Sequence, residues 1–175
     1  MTDNPIITAL QERRSVKSYL PKPVESEKLL AVLQAGTYAP TGRNSQSPSM
    51  VAVENPDTVA QLSRLNAQFL ACHTGDPFYG APVDIVVFGD PEAPTWMEDA
   101  VLVCGNLLNA AHALGLGACW IHRAKPMFAS PEGQELMRQW GLPAHLVGVA
   151  NIIVGYQDQP AKPRVPRKEG YFKVI

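Results

Sequence analysis

The chain has 175 residues, 46% of them hydrophobic and 18% charged, a balance that excludes a disordered tail or a repeat array and suffices for one self-supporting core. Its formal net charge of -1 gives no support to attraction of the whole protein to nucleic acid or to an anionic membrane. The charges are nevertheless uneven. Residues 1–50 carry six Lys/Arg against four Asp/Glu, residues 51–160 four against eleven, and residues 161–175 five against one. Two basic ends flanking an acidic middle read either as a solvated loop and tail or as the halves of one local anion site.

Cys72, Cys104 and Cys119 are odd in number and far apart, with no C-x-x-C, so they read as reduced thiols of a cytoplasmic protein with no metal site. No basic region followed by a long apolar stretch opens the chain, so secretion is not expected.

In chain order, Asn4-Pro5 caps and starts a helix to about Arg13 with Ile6, Ile7 and Leu10 on one face. The prolines at 21 and 23 interrupt it, and a second helix begins near Ser26 with Leu29, Leu30, Val32 and Leu33 as its stripe. Residues 39–48 are rich in Pro, Gly, Asn and Ser and form a loop with free backbone N–H groups. A strand at 50–53 and a helix from Asn55-Pro56 to about Asn66 follow; 67–82 lack periodicity, and 83–88 form an apolar central strand.

Thr95-x-x-Glu98 has the pattern of a capping box and opens the longest helix, to about Leu114. No charged residue occurs from Ala100 to Ile121, long enough to raise a membrane span, but Asn106, Asn109, His112, Gly115 and Gly117 favour a buried central helix whose polar row faces a partner helix. A strand at 118–121, a helix from Ser130-Pro131 to about Trp140 and a strand at 146–154 complete the pattern of an α/β (α+β) fold with helices around one sheet. Residues 1–175 read as a single domain. Prolines at 160, 163 and 166 make residues 157–175 an extended arm whose apolar end, 171–175, has use only if it pairs with a sheet edge, in this subunit or another.

Three segments offer donors for an anion: Arg13-Arg14-Ser15-Val16-Lys17, the loop 40–46, and Lys162-Pro163-Arg164. Charge-assisted hydrogen bonds of about 1.5–3 kcal/mol each, with Arg able to grip two oxygens, suit a phosphate. The order and spacing of R-R-S-V-K-S-Y, A-P-T-G-R-N-S-Q, A-P-V-D-I-V-V-F, G-L-G-A-C-W-I and K-P-R resemble the nitroreductase family of FMN-dependent oxidoreductases over nearly the whole chain.

That resemblance implies a central mixed β-sheet flanked by helices, a homodimer with FMN at the subunit interface, and a C-terminal arm exchanged between subunits. It implies that Arg13, Arg14 and Ser15 hold the FMN phosphate and ribityl chain, that Lys162 and Arg164 complete the phosphate grip, and that Lys17 lies at the pyrimidine edge. There a cation stabilises the charge of the reduced ring. Pro40, Thr41, Gly42, Asn44 and Gln46 match the loop by which the second subunit touches the flavin. Trp120, Ile121 and His122 match a strand end close to flavin N5 and O4. His122 departs from the Gly or Glu expected there, which leaves a residue of the pocket rim as its other reading. Asn66 is a looser match to a flavin-ring contact.

The implied activity takes hydride from NAD(P)H as co-substrate and passes it through the flavin to a nitroaromatic, quinone or similar small acceptor by a ping-pong route. Enone reduction, dehalogenation and flavin modification are alternatives on the same fold, and a flavin-binding protein without turnover is a third class. No general acid is assigned. The sequence has no G-x-G-x-x-G after a strand, no phosphate-binding P-loop, no H-E-x-x-H and no G-x-S-x-G, so a Rossmann nicotinamide site and hydrolase chemistry are not supported.

Overall fold

The Asn4 carboxamide accepts the amides of Ile6 and Ile7 at 2.9 and 3.2 Å, and Pro5 presets the first helical φ, so helix α1 runs Pro5–Glu12. The computed structural model describes residues 4–71, 75–160 and 165–175. After α1 come α2 (Ser26–Thr37), β1 (Ser49–Val53), α3 (Pro56–Gln68), β2 (Val83–Gly89), α4 (Trp96–Ala113), β3 (Gly117–Ile121), α5 (Ala124–Ala129), α6 (Pro131–Gln139) and β4 (Val147–Gly155). Asn55 and Ser130 cap α3 and α6 as their sequence predicts, accepting the amides of Thr58 at 3.0 Å and Gly133 at 3.1 Å.

The capping box expected at Thr95 and Glu98 does not form. The Thr95 hydroxyl makes no bond to the first-turn amides of α4 and donates instead to Asp99 Oδ2 at 3.0 Å. Asp99 is buried, and a desolvated carboxylate gathers every donor within reach. Helix α5 was not expected from the sequence. Its six residues are too few to show a period, and Pro126 is tolerated because it sits in the first turn.

The strands form one sheet in the order β1-β2-β4-β3, every neighbouring pair antiparallel. The sheet is thus antiparallel and not the expected mixed one; a separate parallel bridge joins Ser15 to Ala118, where Val16 N donates to Ala118 O at 3.1 Å along the outer side of β3. Gly117 makes this approach possible, since a Cβ there would meet the Val16 side chain at 2.8 Å.

Strand alternation divides the core between the two faces of the sheet. Val83, Ile85, Val87, Ile152 and Val154 pack with α2 and α4, while Val86, Phe88, Ile153, Cys119 and Ile121 pack with α3, α5 and α6. Helix α4 buries Val103, Cys104, Leu107 and Ala111, and Asn106 Nδ2 donates to Ala35 O at 2.9 Å, so part of its polar row meets α2 of the same chain. Among the described residues no helix is long and apolar enough to cross a membrane. Residues 165–175 join no strand, and Tyr171, Phe172, Val174 and Ile175 are all exposed.

Candidate functional site

The first donor segment follows directly from the end of α1. Arg14 Nη1 donates to the carbonyls of Gln11, Glu12 and Arg13 at 2.9, 2.8 and 2.7 Å, so the guanidinium satisfies the orphan carbonyls at the helix C-terminus and fixes the turn into residues 15–17. Ser15 lies beside β3, near the Cys119 thiol, which itself donates to Trp120 O at 3.6 Å. Burial pushes that thiol up, while the nearby Ser15 hydroxyl and the charges of Lys17 and Arg13 pull it back. The charges of Lys17 and Arg13 thus reach Cys119 on β3. Lys17 is exposed, with Nζ 5.8 Å from the centre of the Tyr79 ring.

The chain returns to this place at the end of β4. Leu20 N donates to Tyr156 O at 2.9 Å, Asp158 N to Ser18 O at 3.0 Å, and Ser18 Oγ to Asp158 Oδ2 at 3.1 Å. The Tyr156 hydroxyl donates to Glu25 and accepts from Lys28 Nζ at 2.7 Å, with Lys22 Nζ 3.8 Å above its ring. The C-terminal arm thus departs from Asp158, which is bonded to Ser18, the residue after the first donor segment. Lys162 and Arg164 themselves lie outside the described residues.

The loop before β1 is organised by one buried carboxylate. Asp99 Oδ1 accepts Gly42 N at 2.9 Å, and Oδ2 accepts the hydroxyls of Thr95, Ser45 and Ser47 at 3.0, 3.3 and 3.4 Å. Gly42 is obligatory, because any Cβ would collide with Thr95 Oγ1. Thr41 Oγ1 accepts Gln46 N at 3.1 Å, Asn44 Oδ1 accepts Gln46 Nε2 at 3.4 Å, and Arg43, Asn44 and Gln46 all take positive φ. Three non-glycine residues in that region within four positions mark a loop held against local preference. Pro40, Asn44 and Gln46 are exposed.

These two halves do not meet within one chain. The loop leads into β1, at one edge of the sheet, whereas residues 13–17 lie along β3, at the other edge, about three strand spacings of ~4.8 Å away. Trp120, Ile121 and His122 lie on the β3 side: Trp120 half-buried, Ile121 buried, His122 exposed.

Asn66 does not offer a free amide to any ring. It is fully buried, Nδ2 donating to His122 O at 2.8 Å and to Met127 Sδ at 3.0 Å, and Oδ1 accepting Arg123 Nε and Nη2 at 3.0 and 2.8 Å. Asp99 and Arg123 were not singled out by the sequence. Position i+4 after Thr95 was the one available signal for Asp99, and a lone basic residue after His122 carries none. A cavity of about 730 Å³ between residues 21–24, α3 and the turn before β2 is lined by none of the expected site residues.

A family model described as the nitroreductase family matches residues 10–156. The chain belongs to that family. A nitroreductase with bound FMN from Bacteroides fragilis superposes with a TM-score of 0.90 over 98% of this chain and 99% of that one, at 24% identity, a likeness of fold. The FMN reductase [NAD(P)H] of Bacillus subtilis is 26% identical over 190 residues, covering 94% of this chain and 72% of the relative. The iodotyrosine deiodinase of Thermotoga neapolitana is 26% identical over 178 residues, covering 91% of both. The matched range of this nitroreductase-family chain contains both the β3 edge and the loop before β1.

Proposed function

We propose that the chain works as a homodimeric FMN-dependent oxidoreductase, drawing reducing equivalents from NAD(P)H and delivering them to a nitroaromatic, quinone or similar small acceptor in ping-pong fashion. The observation that carries this reading is the course of residues 13–18, which run along β3 with Val16 N on Ala118 O and meet Asp158, at the foot of the arm bearing Lys162 and Arg164, through Ser18. The donor set fits FMN: a hydroxyl and several guanidinium and ammonium groups for a doubly charged phosphate, and a further cation for the ring. Bound FMN supplies the hydride-accepting and hydride-donating chemistry.

The protein's part is placement and electrostatics. Arg13 and Arg14 hold the phosphate, Ser15 orients it, and Lys17 favours negative charge on the ring. The loop at 40–46 lies across the sheet from these groups, so its contact with the same flavin comes from a second copy. Exposed Ile6, Ile7 and Leu10 on α1 and Val101 and Leu102 on α4 supply apolar surface for that copy, as does the arm end at 171–175. Helix α4 presents the loop through Asp99, and the arm crosses to the partner.

The test is the absorbance spectrum of the purified protein before and after anaerobic NADPH or NADH, followed by a nitroaromatic or quinone, with sedimentation of the same sample. A yellow dimer that bleaches with the reductant and recovers its colour with the acceptor is expected. A protein that binds no flavin, or whose flavin neither nucleotide bleaches, would refute the reading. The deiodinase relative favours reductive dehalogenation as a second reading. Release of iodide from an iodophenol outrunning nitro reduction would establish it instead.

A further inference from the structure

Arg123 follows His122 directly at the end of β3 and holds a left-handed backbone conformation, φ 82°, which suits glycine and strains any L side chain. Its guanidinium is locked in place: Nε and Nη2 both donate to Asn66 Oδ1, at 3.0 and 2.8 Å. Asn66 is itself immobile, being fully buried with Nδ2 on the carbonyl of His122 at 2.8 Å. The turn is thus fastened from the backbone and from the side chain by one carboxamide reaching across from α3.

The chemistry of that fastening is unusual. The partner of this half-buried cation is a neutral amide, and among the described residues no carboxylate forms an ion pair with it. A guanidinium taken partly out of water without a counter-ion carries a desolvation cost that an incoming anion relieves. The Asn66 bonds occupy one edge of the planar fork, and Nη1 keeps two N–H groups directed away from it. A glycine would make the same turn without strain, so the arginine there is a property of the side chain and not of the backbone.

We propose that Arg123 reads the charge of the substrate, binding a carboxylate or phosphate oxyanion on the molecule that approaches the β3 end of the site, with Asn66 as its positioning residue. The proposal rests on the flavin reading given above. Two sources carry this chemistry, the 2′-phosphate of NADPH and a carboxylate on the electron acceptor, and the arms of one experiment separate them.

In FMN-loaded protein, kcat/KM is measured for NADPH against NADH and for 4-nitrobenzoate against nitrobenzene, in the parent and in Arg123→Gly and Arg123→Gln. Glycine relieves the backbone, and glutamine keeps a donor for Asn66 while removing the charge, so the pair covers a folding failure in either. Loss of a charge-assisted hydrogen bond predicts a fall of about tenfold or more in the ratio for the arm whose substrate supplies the anion. Calorimetric binding of 4-nitrobenzoate to the oxidised protein, without turnover, weakens by the same factor if the acceptor is the source. A fall confined to the nucleotide arm assigns the phosphate, and one confined to the acceptor arm assigns the carboxylate. Ratios unchanged in both arms, in variants that fold and hold FMN, would overturn the proposal and leave Arg123 a structural clamp. A parent protein that takes up no FMN would overturn the functional reading and this proposal together.

Discussion

Asp84 sits in the middle of the sheet with no exposed surface, and neither carboxyl oxygen has a hydrogen-bond partner among the described residues. Its neighbours across the strands are Val53 on β1 and Ile153 on β4; Asn151, whose Oδ1 is also unpartnered, lies two residues along β4 on the same face. Burial alone pushes the Asp84 carboxyl well above its ordinary value of 3.8, so the native protein keeps this proton where the unfolded chain has lost it. The native state then binds one proton more than the unfolded state. Stability from this group is full below pH ~4 and falls by about 1.4 kcal/mol for each pH unit above it, until the native carboxyl ionises. The loss accumulates over whatever range the native carboxyl keeps a proton that the unfolded chain has released. Asp84→Asn keeps the shape and removes the titration. Urea unfolding of both FMN-saturated proteins should give similar stabilities near pH 4–5, with the variant gaining on the parent by about 1.4 kcal/mol per unit as pH rises. A gap that stays constant between pH 5 and 7 would show that Asp84 is ionised in the native state and would refute the argument.

Arg14→Ala should weaken FMN binding by tenfold or more, the value of one charge-assisted hydrogen bond to a phosphate, as read by quenching of FMN fluorescence; circular dichroism checks that loss of its three carbonyl contacts leaves α1 folded. Asp99→Ala strips the acceptor from Gly42 N and three hydroxyls at once. A loss of about 3 kcal/mol in urea unfolding is expected, together with faster tryptic cleavage after Arg43 than in the parent; equal cleavage rates would show that Asp99 does not hold the loop.

What could be read from the sequence was whatever depends on near neighbours. Asn4-Pro5, Asn55-Pro56 and Ser130-Pro131 act within one turn of a helix, and each starts a helix where expected. The donor segments were legible because charge and turn residues cluster in them, and their order matched a family. Thr95-x-x-Glu98 shows the limit of this reasoning. Its local pattern is correct for a capping box, but Asp99 is buried by contacts made far away, and its carboxylate outcompetes the first-turn amides for the Thr95 hydroxyl. Asp84 is passed over within the apolar run 83–88, and whether it has a partner depends on which residues β1 and β4 set beside it. The same holds at the site. Asn66 is a plain asparagine at the end of α3 until the fold carries it to residues 56 and 57 positions onward, where it fastens His122 and Arg123. A loose sequence match had suggested a direct flavin contact for Asn66, and its saturated hydrogen bonds give it a different task. It fixes the backbone of His122, an expected site residue, and holds the guanidinium of Arg123, which no local pattern marks.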